Sequence, residues 1–432
     1  MSRRRKKELC GKIFRITSII FILFCCVFYG YRLIKYYKIY NAKGPEKSEK
    51  LLSIVIPKNS PIVIEGSGLY HIGGSYVYKG EVDNNYLEFS GLLFRIVRIN
   101  YGATVELVLD DPINTLSWDK DNGNYKNSEI NKYLNNNFLK YLNQSKLSKN
   151  NVCLDEISDL TLIKNQCEDN SYSNYVKLLD INTFLNTIVD NKSYLTSQDE
   201  IFWLSNKGKD SVWHTNGYNV STSKSTSYYN VKPVITLNMD VELKKGTGTK
   251  DDPYKIEKDS KYTLGKYVKL GDDTYRIIGI DDKNLKLILS NSLSKVMSFG
   301  PTVEFDIKNS KTLLNYLNTK YYEQLSYKDI ILKEKYSYGT YQEALDNKSK
   351  TYESHIALPT ILDPKLKNDS SMGAYFLANY TKDNKIYTYQ DDGLYISNPT
   401  LAKQVKPVIT IAKKNINKGS GTKEDPYRME EE

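Results

Sequence analysis

The feature that most constrains how this chain can fold is a repeat within its own sequence. NYLEFSGLLFRIVRI (residues 85–99) aligns without a gap to KYVKLGDDTYRIIGI (266–280), so Tyr86, Arg95 and Ile99 correspond to Tyr267, Arg276 and Ile280. Leu107-Val108-Leu109 then matches Leu287-Ile288-Leu289. Ile130, Tyr133, Leu134, Phe138 and Leu142 match Leu313, Tyr316, Leu317, Tyr321 and Leu325. Phe202-Trp203-Leu204-Ser205-Asn206 matches Tyr375-Phe376-Leu377-Ala378-Asn379, and VKPVITL (231–237) matches VKPVITI (405–411). The last pair is GTGTKDDPY (246–254) and GSGTKEDPY (419–427). The order of the blocks is kept throughout, which excludes chance. The period is far too long for a solenoid unit, whereas each copy has the size of an ordinary domain. The copies are expected at 66–257 and 258–432.

Each copy reads as α+β. Leu87, Phe89 and Leu92–Ile99 alternate as strands do, and VELVLD pairs back on them across the Asn100-Tyr101-Gly102 turn. Lys269–Thr274 is the matching hairpin turn of copy two. The Ile130-to-Leu142 stripe has the spacing of an amphipathic helix, with Asn127 or Ser128 as its N-cap and Ser310 as the equivalent cap in copy two. VKPVITL reads as a late strand, with Pro233 placed at an edge or a bulge. Gly246, Gly248 and Pro253 make the exit a turn.

Charge is distributed unevenly. The chain carries 61 Lys+Arg against 51 Asp+Glu, a net +10. The first fifty residues hold thirteen of the bases and only three acids, so the whole surplus lies there. The rest is neutral overall, which argues against a nucleic-acid binder, because phosphate contacts need uncompensated Lys/Arg. Within that basic segment Ile16–Tyr31 carries no charge. Snorkelling of Arg15 and Arg32 extends the apolar length to a single membrane span over 13–34. Positive residues crowd ahead of it, from Arg3 to Lys12, and thin out beyond it. The tail 1–12 is therefore expected in the cytoplasm and the body outside the cell membrane. No small-residue cleavage site follows, so an uncleaved anchor is favoured over a signal peptide. Leu23 to Cys26 only loosely resembles a lipobox. Residues 35–65 read as a stalk, broken at Gly44-Pro45, with Leu51–Ile56 and Ile62–Ile64 either a first strand or segments lying along the domain.

The candidate chemistry is sparse. Cys153 and Cys167 are the only thiols of the body, and an extracytoplasmic compartment favours a disulfide between them over two free thiols. Arg95 and Arg276 sit in apolar strands, where a paired, structural Arg is the expectation. Alternation would put Arg95 on one face with Val97 and Ile99. Trp203, matched by Phe376, reads as core. Trp118 and Trp213 lie in polar contexts (SWDKDNGNY and VWHTNGYN). With His214 and Tyr218 they are the ligand-binding candidates, suited to stacking on a sugar or peptide, against the plainer reading of loop packing. No HExxH, P-loop, GxSxG or Ser-His-Asp order occurs. DKDNGN (119–124) approaches a calcium loop, but Gly123 is one place late and the closing Glu is missing. No catalytic residue, metal site or cofactor is assigned.

Taken together, NNYLEFSGLLFRIVRIN, SEINKYLNNNFL, YVKLLDINTF, FWLSN, NVKPVITL and GTGTKDDPY resemble a family of surface domains from low-GC Gram-positive bacteria. There a W/F-R-I strand precedes a WLN helix, a WL-S segment and a V-RP-V-I-L strand. That order in turn resembles formylglycine-generating-enzyme and C-type-lectin-like domains. Residues 66–257 carry the likeness throughout; copy two lacks the Trp positions. The enzyme branch of that superfamily uses a cysteine pair with copper. Copy two has no cysteine, and those of copy one lie in an insertion. The calcium-lectin branch uses E-P-N or Q-P-D with W-N-D, and none occurs here. The resemblance therefore implies a non-catalytic module that binds a glycan or protein outside the cell. A cell-envelope enzyme and a structural spacer are the alternatives.

Overall fold

The computed structural model describes residues 50–121, 123–162, 171–258, 260–365, 373–390 and 393–430. The expected cytoplasmic tail and membrane span lie outside these residues, and no helix among them is long and apolar enough to cross a membrane. The fold is mixed and strand-rich, with several sheets and a minority of helix.

The sequence repeat reappears as a repeated sheet. In the first half the antiparallel order runs from Tyr86–Phe89 to Leu92–Ile99, Val105–Leu109, Val234–Leu237 and Val176–Lys177. In the second it runs from Tyr267–Leu270 to Asp273–Ile280, Asn284–Leu289, Val408–Ala412 and Ile356–Ala357. Tyr86 faces Arg95 and Tyr267 faces Arg276. Even the irregularity is shared. Register slips between Ile96 and Arg98, and again between Ile277 and Gly279. This bulge corrects the simple alternation expected for Arg95. Val97 joins one hydrophobic cluster, whereas Ile99 packs with Phe94 and Ile96 in the other. The first half adds a hairpin, Gly68–Ile72 with Ser75–Lys79, beyond Leu92–Ile99.

A second sheet is also duplicated. Trp203–Lys207, Val212–Asn216 and Asn219–Ser223 form a meander, as do Tyr375–Tyr380, Ile386–Gln390 and Gly393–Ser397. Pro233 is not at an edge. It precedes a central strand, and its carbonyl accepts from Leu109 N–H at 2.9 Å, as that of Pro407 does from Leu289 N–H. A proline at strand entry sacrifices no ladder bond.

The stripe forms the expected helix, with Ile130, Tyr133, Leu134 and Phe138 buried. Ser128 caps it by accepting from Asn131 N–H; in the second half the cap is Thr312, accepting from Asn315 N–H, and not Ser310. Both helices widen into a π-turn, over Tyr133–Phe138 and Leu317–Tyr321. Inside each π-turn an asparagine reaches the last strand of the sheet. Asn135 donates to Val176 O at 2.9 Å and accepts from its N–H at 3.1 Å. Asn318 does the same with Ile356, at 2.8 and 2.9 Å. Each side-chain amide thus satisfies a strand edge that would otherwise be unpaired.

The exit turns close each half on its own beginning. Tyr254 pairs in parallel with Leu87, and Tyr427 with Val268. Gly248 O accepts from Tyr86 N–H and Gly421 O from Tyr267 N–H. Gly246 and Gly419 have positive φ, +99° and +86°, and a Cβ would lie 2.0 Å from Pro253 O or 2.2 Å from Pro426 O. Only glycine fits there.

The segment from Leu51, expected within the stalk, belongs to the folded body. Leu52–Asn59 is a helix with Leu52 and Ile56 buried, and Leu52 N–H donates to Val241 O. The two halves share one continuous core. Lys365 N–H donates to Ile113 O at 2.8 Å, and Asn114 donates to the carbonyls of Ile361 and Asp363.

Candidate functional site

The aromatic candidates are placed by the first half's meander, and they are largely enclosed. Trp118 and Trp203 are fully buried and lock together: the Trp118 indole donates to Leu204 O at 3.0 Å, and that of Trp203 to Leu116 O at 2.8 Å. Neither ring has a face open for stacking. Phe299 and Phe376 stand at the corresponding positions of the second half, with ring centroids 5.8 Å apart. Trp213 is 8 % exposed and donates to Ile157 O, pinning the loop that follows Cys153. Cys153 is disulfide-bonded; Cys167, its expected partner, lies outside the described residues. Tyr218 is half-buried at the turn between Val212–Asn216 and Asn219–Ser223.

His214 is 5 % exposed and belongs to a hydrogen-bonded chain. Its Nδ1 lies 2.7 Å from Thr215 O, which can only accept, so Nδ1 carries the proton in the neutral ring. Nε2 then accepts from Ser223 Oγ at 3.0 Å, and Ser223 Oγ in turn accepts from Tyr229 O–H at 2.9 Å. The imidazole sits against Trp203 and Tyr229, which fix its plane. A serine bonded to an oriented imidazole is a nucleophile–base arrangement.

The two arginines are anchored differently. Arg95 is 4 % exposed; it donates from Nε to Asn85 Oδ1 at 2.7 Å and from Nη2 to Val82 O, lies 3.7 Å from Asp110, and stacks over Tyr86. Arg276 donates to Lys365 O. That bond takes the second-half arginine to the junction of the halves.

Two adjoining recesses open there, of about 340 and 420 Å3, sharing Gly91, Leu93, Thr263 and Lys266. The Gly91 turn makes the approach possible: its φ is +73°, and a Cβ would lie 2.3 Å from the Thr263 methyl. Lys365 lines the inner recess from the second half, held in a left-handed conformation at φ +59°. Its Nζ donates to Pro112 O at 3.1 Å. Burial first, and then the charge of Arg276, lower its pKa to about 8 against the pull of Asp111. A third recess, of about 410 Å3, lies between Tyr141 and strands of the second half; its Lys286 is paired with Asp363 at 2.7 Å.

A buried acid also marks the junction. Glu129 is 4 % exposed, and its Oε2 has no hydrogen-bond partner among the described residues. Burial and the neighbouring Asp119 push its pKa up to about 7, with Lys120 opposing. Glu129 acts in turn on Tyr341 of the second half, whose pKa burial raises well above its usual value.

Sequence reasoning missed Lys266, Lys365 and Glu129. Whole-body neutrality concealed the lysines, and Glu129 reads as a helix-start acid. Metal-ligand clusters are absent among the described residues. The chain matches no family model, no curated protein and no solved structure.

Proposed function

We propose that this is a single-pass membrane-anchored protein. It displays two tandem copies of one α+β unit, of the lectin-like kind its segment order resembles, as a non-catalytic binding module outside the cell. The observation that carries the reading is the recess between the halves, lined by residues of both, on a frame whose sheets, bulges and closures recur. A recess shared by two units is a common setting for a ligand. The basic tail and uncharged run of the first fifty residues support the anchor and its orientation. The ligand is a component of the cell envelope or of a neighbouring surface.

The test is retention of the full-length protein, in detergent micelles, on an array of envelope polysaccharides and peptides. Selective retention is expected; a blank array would overturn binding. Protease added to intact cells should remove the body, and a fully protected body would sink the topology.

A second reading, an envelope hydrolase, is favoured by the Ser223–His214 contact. A fluorophosphonate probe would label Ser223 if that pair is catalytic and leave it unlabelled if the contact only braces Tyr229.

A further inference from the structure

We propose that the recess between the halves is a binding site for a phosphate group, with Lys266 and Lys365 as its principal ligands. This rests on the binding-module reading and names its chemistry.

Charge in the recess is unlike charge in the body as a whole. The two adjoining parts are lined by Lys250, Lys255, Lys261, Lys266, Arg276 and Lys365. Against them stand Glu88, Asp111 and Asp251. One of the acids is already committed, since Glu88 pairs with Lys255 at 3.2 Å. Lys261 is turned toward Asn417 O at 3.0 Å. Lys266 and Lys365 are in no ion pair among the described residues. A protein whose body is neutral overall thus gathers six cations against three acids in one concavity. Lys266 and Lys365 are far apart in the sequence and meet only through folding.

The setting of Lys365 makes its charge costly to keep. Its carbonyl accepts from Arg276, its Nζ donates to Pro112 O, and burial outweighs the pull of Asp111 to make its ammonium easier to lose. An anion entering the recess would offset that cost. A multiply charged oxyanion answers a surplus of several positive charges better than a single carboxylate does. Lysines act on phosphate as point charges and need no bidentate geometry. The third recess is a control within the molecule: its Lys286 already has Asp363, so it has no comparable demand.

The test is calorimetric titration of the full-length protein in detergent with inorganic phosphate, and separately with acetate. Saturable phosphate binding is expected, weaker by at least tenfold in Lys365→Gln and by several-fold in Lys266→Gln, with acetate binding far weaker. Unfolding temperatures of both variants check that they fold, and Lys266→Gln alone decides the matter if Lys365→Gln does not. No saturable binding, unchanged binding in the folded variants, or acetate binding equal to phosphate would each overturn the proposal. Retention on a neutral glycan without phosphate binding would overturn it while leaving the binding-module reading standing.

Discussion

The two halves of this protein agree where backbone is at stake and differ where side chains fill space. Sheet order, bulge, π-turn, strand-edge asparagine and glycine closure occur in both. The reciprocal indole-to-carbonyl hydrogen bonds of Trp118 and Trp203 give way to a ring contact between Phe299 and Phe376. The position of Glu106, which pairs with Lys177, is taken in the second half by Lys286, which pairs with Asp363. The difference teaches that the frame is held by backbone hydrogen bonds with few substitutes, whereas the side chains packed within it differ between the halves in size and in the placing of charge.

The comparison can be broken most sharply at the closures. Gly246→Ala and Gly419→Ala should each destabilise by about 3 kcal/mol or more, because strain and a clash with a carbonyl coincide. Thermal unfolding that spares one of the two would show that only one half depends on its closure. The asparagine clamps come next. Asn135→Ala and Asn318→Ala should each cost about 2 kcal/mol, since a strand N–H and C=O both lose their partner. Denaturant titration should return similar values if the halves are equivalent.

Glu129 has no acidic counterpart, so it tests asymmetry. Its carboxyl keeps its proton to about pH 7 in the fold but only to about 4.5 in the unfolded chain. The folded state therefore binds more protons across that window, and stability falls as pH rises from about 4.5 to 7. Glu129→Gln removes the loss. At pH 8 it should be more stable than wild type by about 2 kcal/mol, allowing for solvent screening, and at pH 4.5 it should be equal. A variant no more stable at pH 8 would contradict a buried carboxylate whose Oε2 has no partner among the described residues. The smallest effect is expected at the indoles. Trp118→Phe and Trp203→Phe should each cost about 1 kcal/mol for the carbonyl left without its N–H. A larger loss, read from unfolding temperature, would mean that the first half cannot accept the second half's packing.

Much of the frame was legible because the repeat aligned strands and helix at once. Tyr86–Ile99, the Ile130 stripe and VKPVITL all became the elements their periodicity implied. The bulge after Ile96 was not, since a one-residue slip leaves an apolar strand apolar on both faces. Pro233 was misplaced because proline is tolerated at strand entry as well as at edges. The helix at Leu52–Asn59 contains Pro57 and several β-branched residues, a poor local helix sequence that burial of Leu52 and Ile56 overrides. The candidate site was hidden for a different reason. Lys266 and Lys365 are unremarkable lysines in a lysine-rich chain, and only the fold of the second half, faced by Gly91 and Leu93 of the first, brings them into one recess. Trp118 and Trp213 stood in polar stretches, yet buried backbone carbonyls took up their N–H groups.

The parallel pairing of Tyr254 with Leu87 has a mechanical meaning. Tension applied between Tyr86–Phe89 and the returning strand pulls the two in opposite directions along a common axis. Their hydrogen bonds are then loaded in shear and must yield together; they do not unzip singly. The same holds for Tyr427 against Val268. In each half, then, the returning strand can be drawn away from its partner only by breaking these contacts in concert.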